Sequence, residues 1–395
     1  MSFKATLKDL ALLKNGKKTV KKKSGKYELF GANGLIGYSD DYILTKESIV
    51  IGRVGANCGS VHYLDNSAWI SDNTIGVVPN ENVDSYYLYY ILKSLRLNEL
   101  ASGSAQPLVN QSILNSISIK VLSEDKQRKI GYLLRKLDEK NQSNLKIIEL
   151  LEEISQTLFK LWFIDFEFPN EEGLPYKSSG GKMVESELGE IPEGWKLVTI
   201  GEMCASNKKT LSKQDKWSHL NYLDTGNITR NCIDNIQNLN IENDKIPSRA
   251  KRKIQPNDIV YSTVRPNQQH HGIIKEPLEN MVASTGFVVL GSKGKYSNDL
   301  IYLWLTQEDI ERNLQAVAEQ STSTYPSIKP NDILSIKILL PKEKELKELT
   351  NIIETQNNWV WASQQQNKNL MQIRDTLIPK LLSGEIDIPD ESMVD

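Results

Sequence analysis

The chain has 395 residues, is 39% hydrophobic and 25% charged, and carries a formal net charge of −2. This is too long for one ordinary domain and too apolar for a disordered or fibrous chain, so two or three globular domains are expected. No stretch approaches the length of a membrane span, and MSFKATLKDL at the N-terminus has no apolar leader.

The small net charge conceals an alternation. Lys and Arg minus Asp and Glu give about +4 for residues 1–122, −4 for 123–190, +2 for 191–340 and −4 for 341–395. The first basic block concentrates its charge in KNGKKTVKKKSGK, residues 14–26, which includes Lys17 and Lys18. Such a run is a solvated loop in most proteins, but it is also an electrostatic footprint for phosphates.

Next in the chain, IVIGRVGANCGSVHY (residues 49–63) is a strand that breaks into glycines around Arg53 and resumes as a second strand. Neither nucleotide-loop spacing fits. A P-loop requires a lysine and a hydroxyl after its last glycine, and a dinucleotide fingerprint requires G-x-G-x-x-G opening a helix. The predicted element is a hairpin corner. NTIGVVP supplies a further strand, and ASGSAQPLVN a polar loop before the last strand of the block.

A long helical pattern follows over residues 123–165. Ile130, Leu134, Leu137, Asn141, Asn144, Ile148, Leu151, Ser155, Leu158 and Trp162 step by alternating fours and threes, the period of a coiled-coil-like seam. Residues 166–190, rich in Gly, Pro, Ser and charge, read as an exposed connector.

The chain is then written a second time. SILNSISIKVL and NDILSIKILL match at a shift of about 219 residues, which places Leu114, Ile117, Ile119 and Val121 on Ile333, Ile336, Ile338 and Leu340 as one alternating strand. The second globular block, residues 191–340, has its own corner in DIVYSTVRPNQQ and its own polar loop in EQSTSTYPSIK. The second helix, residues 341–385, repeats the seam at Leu349, Ile353, Gln356, Val360, Ser363, Asn367, Leu370, Arg374, Leu377 and Leu381. Pro341 falls in its first turn, and Pro379 is expected to end or kink it. Residues 386–395 form a tail. Each helix of roughly 35–40 residues would span about 50–60 Å, a spacer length.

Several phrases of this chain resemble the specificity subunits of type I restriction-modification enzymes. YELFGANGLIGYSDDY followed by IVIGRVGANCGSV is similar to a common kind of target recognition domain. LFKLWFIDFEFP resembles the end of the family's central helix, LGEIPEGWKLVTIGEM the start of its second recognition domain, and LIPKLLSGEIDI its C-terminal helix ending. The resemblance implies an α+β fold: two globular α/β target recognition domains, separated by two long antiparallel coiled-coil-like helices in a pseudo-twofold internal repeat. It also implies a non-catalytic reader of double-stranded DNA, each domain taking one half of a bipartite target. Two modification subunits would bring S-adenosylmethionine, and restriction/translocase subunits ATP and Mg. No cofactor or metal is expected in this chain and no membrane, in keeping with a cytoplasmic protein. The residues agree in part independently: three scattered cysteines lack a CxxC and suit a reducing compartment, four histidines form no ligand set, and no N/D-P-P-Y/F motif for amino methylation is present. A scaffold that binds only proteins is the competing class, distinguished by the absence of salt-dependent DNA affinity.

The DNA-binding candidates are Lys17, Lys18, Asn33, Arg53, Asn57, Ser104 and Gln106 in the first domain. In the second they are Arg230, Arg265, Gln268, Gln269, Ser321, Thr322 and Tyr325. The Arg53 guanidinium suits guanine or a phosphate, or else pairs with a carboxylate of its own domain. Asn33 and Asn57 suit adenine edges but are also ordinary turn residues. Trp359 and Trp361 lie off the seam of the second helix, either packed against a neighbouring domain or exposed as a docking patch for a modification subunit.

Overall fold

The computed structural model describes residues 2–100, 108–187, 189–320 and 326–389. The chain divides into two compact units, Met1–Ser143 with Gln366–Asp395, and Asn144–Gln365. These are not the linear blocks of the sequence. Each unit takes part of the central helix (Glu124–Phe159) and part of the C-terminal helix (Glu343–Ser383).

The first unit begins with β1 (Ser2–Thr6), α1 (Leu7–Leu10), β2 (Ala11–Asn15), β3 (Tyr27–Gly31), β4 (Gly34–Ser39) and β5 (Ile49–Gly52). It continues with β6 (Val61–Tyr63), β7 (Ala68–Ile70), β8 (Thr74–Pro79), α2 (Ser85–Ser94), α3 (Gln111–Asn115) and β9 (Ser118–Leu122). One sheet has the order β2-β8-β5-β6, a second β4-β3-β7, and β1 pairs with β9. All four residues of β5 are buried, which is why the sequence reads there as an unbroken apolar run rather than an alternation. The Asp84 carboxylate caps α2 by accepting from the Tyr87 amide at 2.8 Å. Gly131 of the central helix allows this contact, since a Cβ there would lie 2.0 Å from Asp84 Oδ1.

The second unit repeats the plan. Its elements are β10 (Met183–Ser186), β11 (Gly189–Pro192), β12 (Lys196–Thr199), α4 (Ile200–Met203), β13 (Cys204–Ser206), β14 (His219–Leu223), β15 (Ile228–Thr229) and β16 (Cys232–Ile233). There follow β17 (Gln237–Asn240), β18 (Ala250–Lys253), β19 (Asp258–Ser262), β20 (His271–Ile274), β21 (Met281–Ser284) and β22 (Phe287–Ser292). The unit's globular part closes with α5 (Asn298–Leu305), α6 (Glu308–Glu319), α7 (Pro330–Leu334) and β23 (Lys337–Leu340). The sheet β13-β22-β19-β20 matches β2-β8-β5-β6 strand for strand, and β12 pairs with β23 as β1 does with β9. The parallel pair β14–β21 likewise repeats β3–β7. Even the capping boxes recur, Thr6 with Asp9 on α1 and Thr199 with Glu202 on α4.

Along the central helix the expected seam is the covered face. Between Asn141 and Leu158 every seam position is buried or half-buried and every other position is exposed. Within the first unit the two helix segments run antiparallel, with Ile130, Leu134 and Leu381 in one core cluster and Arg374 bound to Asp138. Within the second unit they do so again: Ser155 Oγ donates to Gln356 Oε1 at 2.9 Å, and Phe159, Trp162 and Phe163 share a core with Leu349 and Ile353.

The structure departs from the sequence reading at several points. Leu114 and Ile333 are not in strands but in the short helices α3 and α7, which precede β9 and β23 and whose five residues are too few to show a helical period. Pro341 lies two residues ahead of the C-terminal helix, and Pro379 lies within its last turn or so, four residues before its end at Ser383. The central helix closes in a π-turn, Lys160–Ile164, that buries both Trp162 and Phe163. The connector is not simply exposed: Phe166 and Phe168 are buried, Phe168 stacks on Trp195 with ring centres 4.9 Å apart, and β10 pairs with β11.

Asp138 is the polar centre of the first unit's helix pair. It accepts from Arg374 Nη1 at 3.1 Å, Tyr86 Oη at 2.8 Å and Tyr90 Oη at 2.5 Å. Burial, reinforced by this carboxylate, pushes both phenols well above the ordinary tyrosine range. Truncating one partner strands the others in a half-buried site. A double-mutant cycle between Asp138→Ala and Arg374→Met, read by denaturant unfolding, is expected to return a coupling of about 1–3 kcal/mol. Additive effects would show the pair to be incidental.

Candidate nucleic-acid interface

In the first unit the chain between β5 and β6 makes a tight corner with a 3-10 turn at Gly55–Asn57. Two backbone bonds fix its base: the Arg53 amide donates to Asn73 O at 3.0 Å, and Arg53 O accepts from the Val109 amide at 2.9 Å. The hydroxyl of Ser60 and the His62 ring both reach Ala32 O, in the turn between β3 and β4, and so tie that hairpin tip to the corner.

The basic run is folded down beside this corner. The Gly16 amide donates to Thr74 O at 3.1 Å and the Lys17 amide to Ile70 O at 3.0 Å. Further along, Lys22 exchanges backbone hydrogen bonds with Tyr38. Gly16 must be glycine at this approach, since a Cβ would sit 1.9 Å from Ser71 O. The lysines themselves point outward and are exposed.

Between run, hairpin tip and corner lies an open hollow of about 550 Å³, with Lys18, Lys21, Asn33, Asn57, Asp72 and Asn73 on its walls. The structure therefore brings Lys18, Asn33 and Asn57 together, as candidates for one surface should be. Lys17 lies beside them, joined by backbone to the strand end at Ile70. Arg53 does not line the hollow. Its Nε is buried with no hydrogen-bond partner, and no carboxylate pairs with it among the described residues. Its clearest role is through its backbone, at the base of the corner.

Sequence reasoning missed Lys21 and the turn Ser71–Asn73. The signal was available: Asp-Asn between two apolar strands is a turn dipeptide.

The second unit builds the same corner with other side chains. A 3-10 turn at Pro266–Gln268 joins β19 to β20, flanked by Arg265 and Gln269 in left-handed conformations. The ladder registers superpose the two corners, since Gly52 lies opposite Thr74 as Ser262 lies opposite Phe287. Arg53 then corresponds to Thr263, whose amide donates to Gly286 O at 2.8 Å. Arg265 corresponds to Gly55, and both have positive φ.

Arg265 and Gln268 are exposed. Gln269 departs from expectation: its amide donates to Glu311 Oε2 of α6 at 2.8 Å, so the side chain is held against its own domain. Glu311 also binds His271 Nε2 at 3.2 Å, while His271 Nδ1 meets Tyr302 Oη at 2.9 Å. Burial pushes the Tyr302 and Tyr261 phenols above their ordinary range. Arg230 departs further, lining a separate hollow of about 600 Å³ with Glu149, Glu152, Glu153 and Glu311. Carboxylates around a guanidinium weaken its pull on phosphate, so Arg230 stands apart from the corner candidates.

Ser104, Gln106, Ser321, Thr322 and Tyr325 lie outside the described residues. The residues after both segments are bound to the corners: Leu108 bridges Val54, and Ser327 bridges Val264.

A second candidate surface lies on the helices. Trp359 is 62% exposed and Trp361 half-buried, so Trp359 is not a core residue. Ile147, Leu150, Ile154, Leu161 and Ile164 of the central helix and its π-turn are also exposed, stepping by three, four, seven and three on a face apart from the seam. Apolar exposure in such a row marks a contact surface.

The family model described as type I restriction modification DNA specificity domain matches residues 3–153 and 192–371, one copy for each half of the repeat. The type I restriction enzyme MjaIX specificity subunit of Methanocaldococcus jannaschii is 25% identical over 350 residues, covering 85% of this chain and 77% of that one. The HindI specificity subunit of Haemophilus influenzae is 22% identical over 410 residues, covering 87% of each. In fold, the crystal structure of a type I restriction-modification S subunit from M. genitalium aligns over 96% of both chains with a TM-score of 0.68, at 19% identity.

The close approach of Gly16 to Ser71 makes a stability prediction. Gly16→Ala should destabilise the protein by about 1–3 kcal/mol in denaturant unfolding, as overpacking does. Gly226→Ala, where no atom lies within 4 Å of the added Cβ, serves as the control and should be close to neutral. Equal effects would mean that the basic run is not held at the turn.

Proposed function

The chain belongs to the type I restriction-modification DNA specificity family, and from that premise we propose that its two domains each read one half of an asymmetric bipartite DNA target, without catalysis of their own. One observation carries the reading. The same strand–turn–strand corner is built twice on matching registers, yet the residues that build it differ: Gly52-Arg53-Val54-Gly55 in one copy, Ser262-Thr263-Val264-Arg265 in the other. Equal scaffolds with unequal surfaces are what two different half-sites require. The lysines of residues 14–26 supply the sequence-independent attraction to phosphates, and the amides and carboxylate around the hollow supply base contacts.

The long helices act as the spacer of a pseudo-twofold pair of readers. Polar seam residues such as Asn144, Ser363 and Asn367, all at least nine-tenths buried, resist sliding. The exposed apolar row that includes Ile154, together with Trp359, contributes to docking the modification subunits. S-adenosylmethionine sits on those partners, and ATP and Mg on a restriction/translocase subunit. Among the described residues no helix is long and apolar enough to cross a membrane, and the protein acts on DNA in the cytoplasm.

Exchanging the first recognition domain for an unrelated one, with both helices retained, tests the reading. In complex with the methyltransferase partner, the exchange should change one half of the methylated motif and leave the other intact. If both halves change, the domains are not independent readers.

Charge makes a second prediction. Lys18→Ala with Lys21→Ala should lower the slope of log affinity against log salt by about two, one for each phosphate left without its lysine. An unchanged slope would remove the basic run from the interface.

The spacer makes a third. Seven residues inserted at matching seam positions of both helices preserve the seam and add about 10 Å, close to three base-pair steps. The unread gap should grow by about three base pairs while both half-sites stay the same. An unaltered gap would contradict the spacer.

A further inference from the structure

We propose that Asp72 is a specificity-determining residue of the first domain, accepting a hydrogen bond from the exocyclic amino group of cytosine or adenine in the major groove. The inference rests on the DNA-reading function proposed above and adds to it a residue and the class of base it selects.

A surface that meets DNA meets phosphates, and a carboxylate there is repelled unless a donor is waiting for it. Asp72 is nevertheless on the wall of the hollow that Lys18 and Lys21 line, together with Asn33, Asn57 and Asn73. It is half-buried, and no hydrogen bond or ion pair engages its side chain among the described residues. A structural role as a partner for the lysines is not what the geometry shows: Lys22, the one lysine of the run with an ion-pair partner among the described residues, binds Asp40.

Position is the second part. The turn that carries Asp72 is held from both sides by backbone, through Gly16 to Thr74 O and Lys17 to Ile70 O on one side, and Arg53 to Asn73 O on the other. Asp72 therefore stands on a fixed frame between the basic run and the corner, where a base-reading group needs to be. The neighbouring Ser71 Oγ is buried without a protein partner.

The repeat supplies the third part. Asp72 lies two residues before Thr74, which is opposite Gly52, and the same position in the second domain is Thr285, two residues before Phe287, which is opposite Ser262. Thr285 is exposed. The frame is kept and the carboxylate is not, so the fold does not require it. A carboxylate accepts but cannot donate. On the major-groove edge only cytosine N4 and adenine N6 offer donors, whereas guanine and thymine oppose Asp72 with acceptors.

The test uses the full chain with its methyltransferase partner and maps methylated adenines for the wild type, Asp72→Asn and Asp72→Ala. Binding to unrelated DNA is measured alongside. Asp72→Ala is expected to relax a single position of one half-site, where an amino-bearing base is required in the wild type, by about tenfold or more in discrimination; Asp72→Asn keeps an acceptor and gains a donor, so it is expected to shift that position toward adenine. The other half-site and the gap stay as they were, and affinity for unrelated DNA is undiminished because a repulsive charge has gone. An unchanged motif in both variants overturns the assignment while leaving the two-domain reading intact. So does a uniform loss on all sequences, the mark of a structural role. A wild-type motif without two parts overturns the underlying reading instead.

Discussion

Leu381, near the end of the C-terminal helix, lies in the same buried cluster as Ile130 and Leu134 of the central helix and Leu7, Tyr87 and Val121 of the first domain. Two turns earlier, Arg374 reaches Asp138, which also holds Tyr86 and Tyr90 of α2. The first domain is thus completed by residues more than two hundred positions away in sequence. Without them Ile130 and Leu134 would face water and the Asp138 site would lose its cation. The second domain has the reciprocal need. Its aromatic core takes Phe159, Trp162 and Phe163 from the end of the central helix, and Trp195 Nε1 bonds Glu345 of the C-terminal helix at 2.8 Å. Neither recognition domain is therefore a linear segment, and a variant that removes one helix removes part of both cores.

That closure leaves the corners free to differ. Their frames are made almost wholly of backbone hydrogen bonds, such as Arg53 to Asn73 O and Thr263 to Gly286 O, which any residue but proline can make. The frame does not dictate the side chains above it, so one copy holds a glycine where the other holds Arg265, and an aspartate where the other holds Thr285. A scaffold fixed by backbone with variable side chains suits a protein whose partner is a sequence of bases.

What could be read from the sequence follows the same division. The helical seam was legible because its period persists over ten positions in each helix, and the covered face agrees with it through the polar members Asn144, Ser363 and Asn367. The corners were legible because apolar strands flank them. The short helices α3 and α7 were not, since five residues cannot display a period, and their Leu114 and Ile333 look like strand residues. The π-turn was hidden because Trp162 and Phe163 face one core only after the helix widens. At the site, exposure was readable but commitment was not. Nothing in PNQQHH tells that Gln269 is bound by Glu311, forty-two positions on, or that Arg230 lies among glutamates of the central helix. Asp72 was overlooked because a single carboxylate near lysines reads as ordinary surface until the hollow is seen.

The central proposal is that one chain carries two unlike readers of DNA. Mapping of methylated adenines in DNA from cells that express this chain with its methyltransferase partner tests it most directly. The account predicts an asymmetric motif of two short specific parts, separated by an unread gap of constant length. A single continuous motif, a palindrome, or a gap that varies from site to site would contradict it.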